Sequence, residues 1–221
     1  MKRIFLLALI LCLFITENYA QKYHPPLDFR LLLSGTFGEL RNNHFHTGID
    51  LKTKGVEGQK VYSIEEGFVS RIKVSTWGYG KTIYIDHPDG RTSVYAHLKK
   101  FNDKIEEYVK NEQYKRQTFE IQLFPDKELI TVERGEIIAF SGNSGSSRGA
   151  HLHFEVRDSR TEKPINPLAL GFSVEDNIKP IIKELKIYQI NSKRSESFEC
   201  IKSKDQYSIK EELSLSGKIG I

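Results

Sequence analysis

KTIYIDHPDGRTSVYAHL, residues 81–98, is the stretch on which the fold turns. Lys81–Asp86 and Ser93–His97 are β-branched and aromatic runs of alternating polarity, and Pro88-Asp89-Gly90 between them supplies the tight reversal of a hairpin. The same rhythm extends upstream through Lys60–Ile64 and Phe68–Val74, which Glu66-Gly67 helps to separate. Downstream it continues through Ile137–Ser141 and Leu152–Arg157, divided by Gly142-Asn143-Ser144-Gly145. From Leu31 to Val156 the chain therefore reads as an antiparallel β domain built of hairpins.

One segment breaks this pattern. Asn102–Gln117 is charged and free of glycine, and Ile105, Tyr108 and Val109 are spaced for one helical face, which predicts a surface helix after the strand ending at His97. Phe119–Leu123 returns to strand character, so residues 99–129 read as an insert. Past Pro167 the character changes again. Asp176–Pro180 resembles a linker, Ile182–Ile190 a strand, and the sequence stops within strand-like Ser214–Ile221. Residues 172–221 are thus expected to be the start of a β-rich C-terminal region, incomplete as given.

With 221 residues, 38% of them hydrophobic and 11% aromatic, the chain can bury one good core and part of another. The formal net charge of +4 is dispersed, which suits an anionic cell envelope and gives no sign of a nucleic-acid partner. Lys2 and Arg3 precede an apolar run, Ile4–Ile15, too short for a comfortable transmembrane helix, and Ala20 offers a cleavage point. Residues 1–20 are expected to be a signal peptide, residues 21–171 the main domain, and the protein to be exported to the periplasm, cell envelope or extracellular space. Cleavage would leave no stable membrane insertion and only Cys200 as a thiol, so no internal disulfide is expected.

The chemistry is carried by histidine. Among seven histidines, four fall in two H-x-H arrangements, His44-Phe45-His46 and His151-Leu152-His153. On a strand, positions i and i+2 share a face, so either pair could present two imidazoles to one site. Asp50 lies four residues after His46, a spacing that returns to the same side of a strand, with Gly48 between to let the backbone bend. Imidazole and carboxylate both suit zinc, and a catalytic zinc site takes three protein ligands and keeps one position open. One histidine of the second pair completes a set with His46 and Asp50, and its neighbour stands beside the open position. Spacing alone leaves open which histidine takes which part. Gly142–Gly149 is not a phosphate loop, because no Gly-Lys-Ser/Thr follows and the next element is a strand.

His46-Thr47-Gly48-Ile49-Asp50, Tyr95-Ala96-His97-Leu98, and Gly142-Asn143-Ser144-Gly145 followed by His151-Leu152-His153-Phe154-Glu155 resemble the M23 peptidases, the lysostaphin/LytM-like zinc endopeptidases. Gly78-Tyr79-Gly80, Ile85-Asp86-His87 and Pro164-Ile165-Asn166-Pro167 add to the resemblance, which spans about residues 31–170. It implies a mainly β, antiparallel lysostaphin/LytM-like fold of the duplicated-hybrid type with a short helical insert. It also implies one Zn2+ held by His46, Asp50 and His153, with His97 and His151 as the catalytic pair and His44 outside the site. The implied activity is zinc-dependent peptide hydrolysis, with peptidoglycan peptide crosslinks as substrate and partner. The H-E-x-x-H helix is missing, so histidine must do the base work. The insert over residues 99–129 departs from compact relatives and is expected to wall or cover the cleft. The rival expectation is an inactive or gated scaffold that activates other cell-wall hydrolases. A lipoyl-type carrier is disfavoured because neither Glu65-Glu66-Gly67 nor Glu133-Arg134-Gly135 offers a lysine at a hairpin tip.

Overall fold

The computed structural model describes residues 23–41, 44–174, 181–188, 194–204 and 206–210. The expected signal peptide lies outside them, and among the described residues no helix is long and apolar enough to cross a membrane. The chain divides into two compact units, Met1–Asp176 and Asn177–Ile221.

The first unit is mainly antiparallel β. Its strands are β1 (Leu33–Gly35), β2 (Ile49–Lys52), β3 (Lys60–Tyr62), β4 (Gly67–Val74), β5 (Lys81–Asp86), β6 (Arg91–Leu98) and β7 (Lys100–Phe101). After helix α1 (Asp103–Arg116) come β8 (Ile121–Leu123), β9 (Thr131–Val132), β10 (Ile137–Phe140), β11 (His151–Asp158) and β12 (Pro164–Ile165). A nine-stranded sheet runs β1-β2-β11-β6-β5-β4-β8, with β12 on β11 and β9 on β4, while β3-β10-β7 forms a second sheet. The second unit contains one antiparallel sheet of β13 (Glu184–Tyr188), β14 (Ser195–Ser203) and β15 (Gln206–Ile209). Cys200 lies on β14, half-buried and unpaired by a disulfide.

The β5–β6 hairpin forms where expected. His87 N–H bonds the Arg91 carbonyl at 2.8 Å, and Gly90 takes the positive φ of +80° that the turn requires. These strands are buried on both faces rather than alternating: Ile83, Ile85 and Tyr95 fill one side, and Tyr84 is roofed on the other by the Arg71 guanidinium, 3.8 Å from its ring centre. Each such buried Ile or Leu stabilises the fold by about 1.5–3 kcal/mol. Lys81 pairs with Leu98 but Ile83 with Tyr95, so one residue on β5 faces two on β6, a β-bulge at Ala96-His97.

The helix forms nearly where its period placed it. Asn102 caps it by accepting the Ile105 N–H at 3.0 Å, Gln117 ends it in a left-handed conformation, and Ile105 and Val109 are its buried face. Among the described residues the predicted strands appear within a few residues of their expected bounds, but Lys60–Ile64 shortens to Lys60–Tyr62 and Phe119–Leu123 to Ile121–Leu123, while the expected linker Asp176–Pro180 and strand Ser214–Ile221 lie outside the described residues.

Candidate active site and metal centre

β2 and β11 pair antiparallel, with Asp50 opposite His153 and Lys52 opposite His151. The pleat therefore sets His151, His153, Asp50 and Lys52 on one face of the sheet. His46 reaches that face by another route. It lies outside β2, in a turn where its N–H bonds the Glu39 carbonyl at 2.8 Å, so the strand spacing expected to align His46 with Asp50 does not apply. Gly48 acts differently too: a Cβ there would collide with the Phe154 carbonyl oxygen and Glu155, so glycine is needed to let the turn lie against β11.

Three donor atoms converge. His46 Nε2 and His153 Nδ1 are 3.0 Å apart, and Asp50 Oδ1 is 3.2 Å from the first and 2.9 Å from the second. The opposite ring nitrogens are committed: His46 Nδ1–H donates to the Thr36 carbonyl at 2.8 Å, and His153 Nε2–H to Glu155 Oε1 at 2.8 Å. In the neutral rings, two imidazole lone pairs and a carboxylate oxygen therefore point at one another with no proton between them. That arrangement asks for a cation, and three donors about 3 Å apart approach the edge of a tetrahedron with bonds of ~2.0–2.1 Å. His46, Asp50 and His153 form a group able to hold a metal ion.

The surroundings fix this geometry. Arg41 NH2 holds Asp50 Oδ2 at 2.8 Å, leaving Oδ1 to the histidines. Burial works against the Asp50 charge, but the imidazoles of His151, His153 and His46 gathered around it outweigh it and hold the carboxyl well below the usual range. Glu155, with no exposed surface, accepts from His153, from Thr47 Oγ1 at 2.6 Å, from Arg157 Nε at 2.6 Å and from the Tyr79 hydroxyl. Burial opposes its charge as well, yet His153 and Arg157 bring it down to about 2. His153, Glu155 and Arg157 alternate along β11, so their contacts follow the strand's period of two, whereas Arg41, Thr47 and Tyr79 reach the centre from other segments, which no local pattern marks.

His97 and His151 stand together beside the triad, their rings 4.8 Å apart, with His151 Nε2 3.5 Å from Asp50 Oδ1. His151 Nδ1–H donates to the Gly149 carbonyl at 2.8 Å and His97 Nδ1–H to the Ser144 carbonyl at 2.9 Å, so each leaves its Nε2 uncommitted to backbone. His97 would not face the site in a regular strand. Ala96 pairs with His153, and Tyr95 points into the core, so alternation would send His97 core-ward. The bulge, with His97 at φ +57°, turns it onto the site face. The carbonyl it meets is presented by the loop whose Gly145, at φ +72°, packs against Gly78 and Gly80 where a Cβ would clash. Burial draws the His97 imidazole down to about 4, against the pull of that carbonyl.

All five residues open onto a cleft of about 1110 Å³. His44 lines it and is exposed, but is not one of the three converging donors. The expected wall is not there: among the described residues lining the cleft, none comes from the insert over residues 99–129.

Residues 44–114 match the model of the family described as Peptidase family M23, a span that takes in His46, Asp50 and His97. The DD-carboxypeptidase/endopeptidase Mpg of Neisseria meningitidis serogroup B is 30% identical over 126 residues, 57% of this chain and 23% of that protein. Lysostaphin of Staphylococcus simulans is 30% identical over 115 residues, 52% of this chain and 18% of the relative. The chain thus spans less than a quarter of the length of these curated relatives. The solved SpoIIQ–SpoIIIAH pore-forming complex contains a chain of similar fold, with TM-score 0.51 and 20% identity, covering 68% of this chain and 90% of that one.

Proposed function

Starting from a chain whose residues 44–114 match peptidase family M23, we propose that it is a zinc-dependent metalloendopeptidase acting on peptidoglycan peptide crosslinks outside the cytoplasm. The observation that carries this reading is the inward meeting of His46 Nε2, His153 Nδ1 and Asp50 Oδ1, whose other ring nitrogens and second oxygen are tied outward. Two imidazoles and a carboxylate are a donor set suited to zinc. When bound, zinc supplies Lewis acidity, which acidifies a water and polarises a peptide carbonyl.

The remaining work falls to the chain. Glu155 and the Thr36 carbonyl keep the two liganding rings in the tautomers that face the centre. His97 and His151, each oriented by a backbone carbonyl, divide the proton work between them. One, neutral at Nε2, accepts a proton from the attacking water and passes it to the leaving amine, and the other, as the imidazolium with Nε2 also protonated, donates to the oxygen that gains charge in the tetrahedral intermediate. The similarity to proteins named endopeptidase and lysostaphin supports the reaction class. The gated-scaffold reading loses its physical basis in the insert, which contributes no described residue to the cleft lining.

The test compares zinc content and digestion of crosslinked muropeptides for the parent, His153→Ala and His151→Ala. His153→Ala should lose zinc, whereas His151→Ala should keep it and lose turnover by about 10²–10⁴-fold. Undiminished digestion by both variants would overturn the proposal.

A further inference from the structure

The cleft walls are strongly one-signed. Among the described residues lining it, Arg30, Arg41, Lys52, Lys54 and Arg148 stand against a single carboxylate, Asp50, which is already engaged by three histidines and Arg41. The cations are not equivalent. Arg41 is committed to Asp50 and Glu39, whereas Lys52 has its place set by the sheet. It follows Asp50 by two residues on β2, so its side chain leaves the same face, and it pairs across the ladder with His151 as Asp50 does with His153. One rung of the ladder therefore separates the Asp50 carboxylate from exposed Lys52, whose cross-strand partner is the proposed catalytic His151. Lys54 continues the wall with its ammonium 4.3 Å from the Phe29 ring centre, and Arg148 lies in the loop leading to His151.

Resting on the peptidase reading above, we propose that Lys52, supported by Lys54 and Arg148, forms a carboxylate-binding subsite, so that this cleft selects anionic peptides with free carboxylates near the scissile bond over neutral glycine-type bridges. The reason is electrostatic. A row of cations in a partly enclosed cleft raises the local concentration of an anionic peptide and holds it in register, whereas a polyglycine strand gains nothing from them. Charge-assisted hydrogen bonding from a lysine fixes one carboxylate about a strand rung from the metal centre, which positions the neighbouring amide over it.

The chain supplies its own binding reporter. Trp77 is its single tryptophan, is 76% exposed, and immediately precedes Gly78 and Tyr79 of the cleft lining. The experiment uses the full zinc-loaded chain with crosslinked muropeptides of the diaminopimelate type. It also uses the same muropeptides with their carboxylates converted to amides, and pentaglycine. Hydrolysis is read by chromatography, and binding by Trp77 fluorescence at the start of each reaction. Native muropeptides should be preferred to their amides by a lower KM. In Lys52→Gln that preference should shrink by about 3- to 10-fold, and in Lys52→Glu it should be abolished or reversed. Lys110→Glu, on the exposed side of α1, should keep the preference.

Equal handling of native and amidated muropeptides, preferred cleavage of pentaglycine, or an equal loss in Lys110→Glu would overturn the subsite. If no substrate is cleaved, the peptidase reading fails by itself. The subsite then stands or falls on whether Trp77 reports binding that depends on both the carboxylates and Lys52.

Discussion

Glu155 illustrates how much of the centre is held by residues outside it. Its carboxylate orients His153, and its own charge is kept by Arg157, Thr47 and Tyr79. Glu155→Gln preserves the shape and removes the charge. Zinc affinity, read by competition with a chelating dye, should fall by about 10–100-fold while the fold persists. His87 gives a residue-scale prediction away from the cleft. It is buried, its Nδ1 bonds the Glu66 carbonyl at 2.8 Å and its Nε2 meets Ser93 Oγ at 2.7 Å. Burial lowers its pKa from 6.5, against the opposing pull of the Glu66 carbonyl and of Asp89, Glu65 and Asp86. The unfolded chain therefore takes up a proton before the folded one. The contribution of His87 to stability is complete above pH ~6.5 and declines as pH falls below it toward the folded pKa. Denaturation midpoints measured from pH 7.5 to 5 should show this slope in the parent and a shallower one in His87→Gln.

At the scale of elements, the close approach of the turn before β2 to β11 depends on Gly48. Gly48→Ala forces a methyl group into the Phe154 carbonyl and should destabilise the chain by about 1–3 kcal/mol in denaturant unfolding, weakening zinc retention with it because His46 rides on that turn. The helix offers a contrast. Asn102 caps α1 and also donates from Nδ2 to the Ile137 carbonyl at 3.0 Å, tying the insert to β10. Asn102→Ala should lower stability by about 0.5–2 kcal/mol and leave zinc content as it was, since α1 supplies no described residue to the cleft. The bulge at Ala96-His97 belongs to this scale as well. A single extra residue on β6 reverses the direction of one side chain, and that side chain is one of the two proposed to act on water.

For the whole molecule, the centre joins segments distant along the chain: His46 from a turn, Asp50 from β2, His97 from β6, and His151 and His153 from β11. A cation bound by the native state alone stabilises it by mass action, about 2.7 kcal/mol when its free concentration is 100 times Kd. Chelator treatment should accordingly lower Tm, and added zinc should restore it in a concentration-dependent way for the parent but not for His153→Ala. Differential scanning calorimetry across a zinc series reads both effects.

The sequence by itself determined the elements. Alternation and glycine turns marked the β5–β6 hairpin, a glycine-free amphipathic run marked α1, and H-x-H on β11 placed His151 and His153 on one face, because strand and helix periods are local properties of the chain. The family resemblance then named the three donors that the structure brings together. Only the tertiary structure decided how they meet. His46 arrives from outside a strand, Gly48 serves packing rather than bending toward an ion, and the insert stays out of the cleft lining. His97 turns inward through a bulge, Arg41 reaches Asp50 from outside β2 and Lys52 takes its place by register, whereas His153, Glu155 and Arg157 meet at the period of two of β11 itself. A period of two tells which residues share a face within one strand. It carries no information about which strand lies beside it, where a register slips, or which charge is left facing the cleft, because those are settled by packing and pairing between segments far apart in sequence.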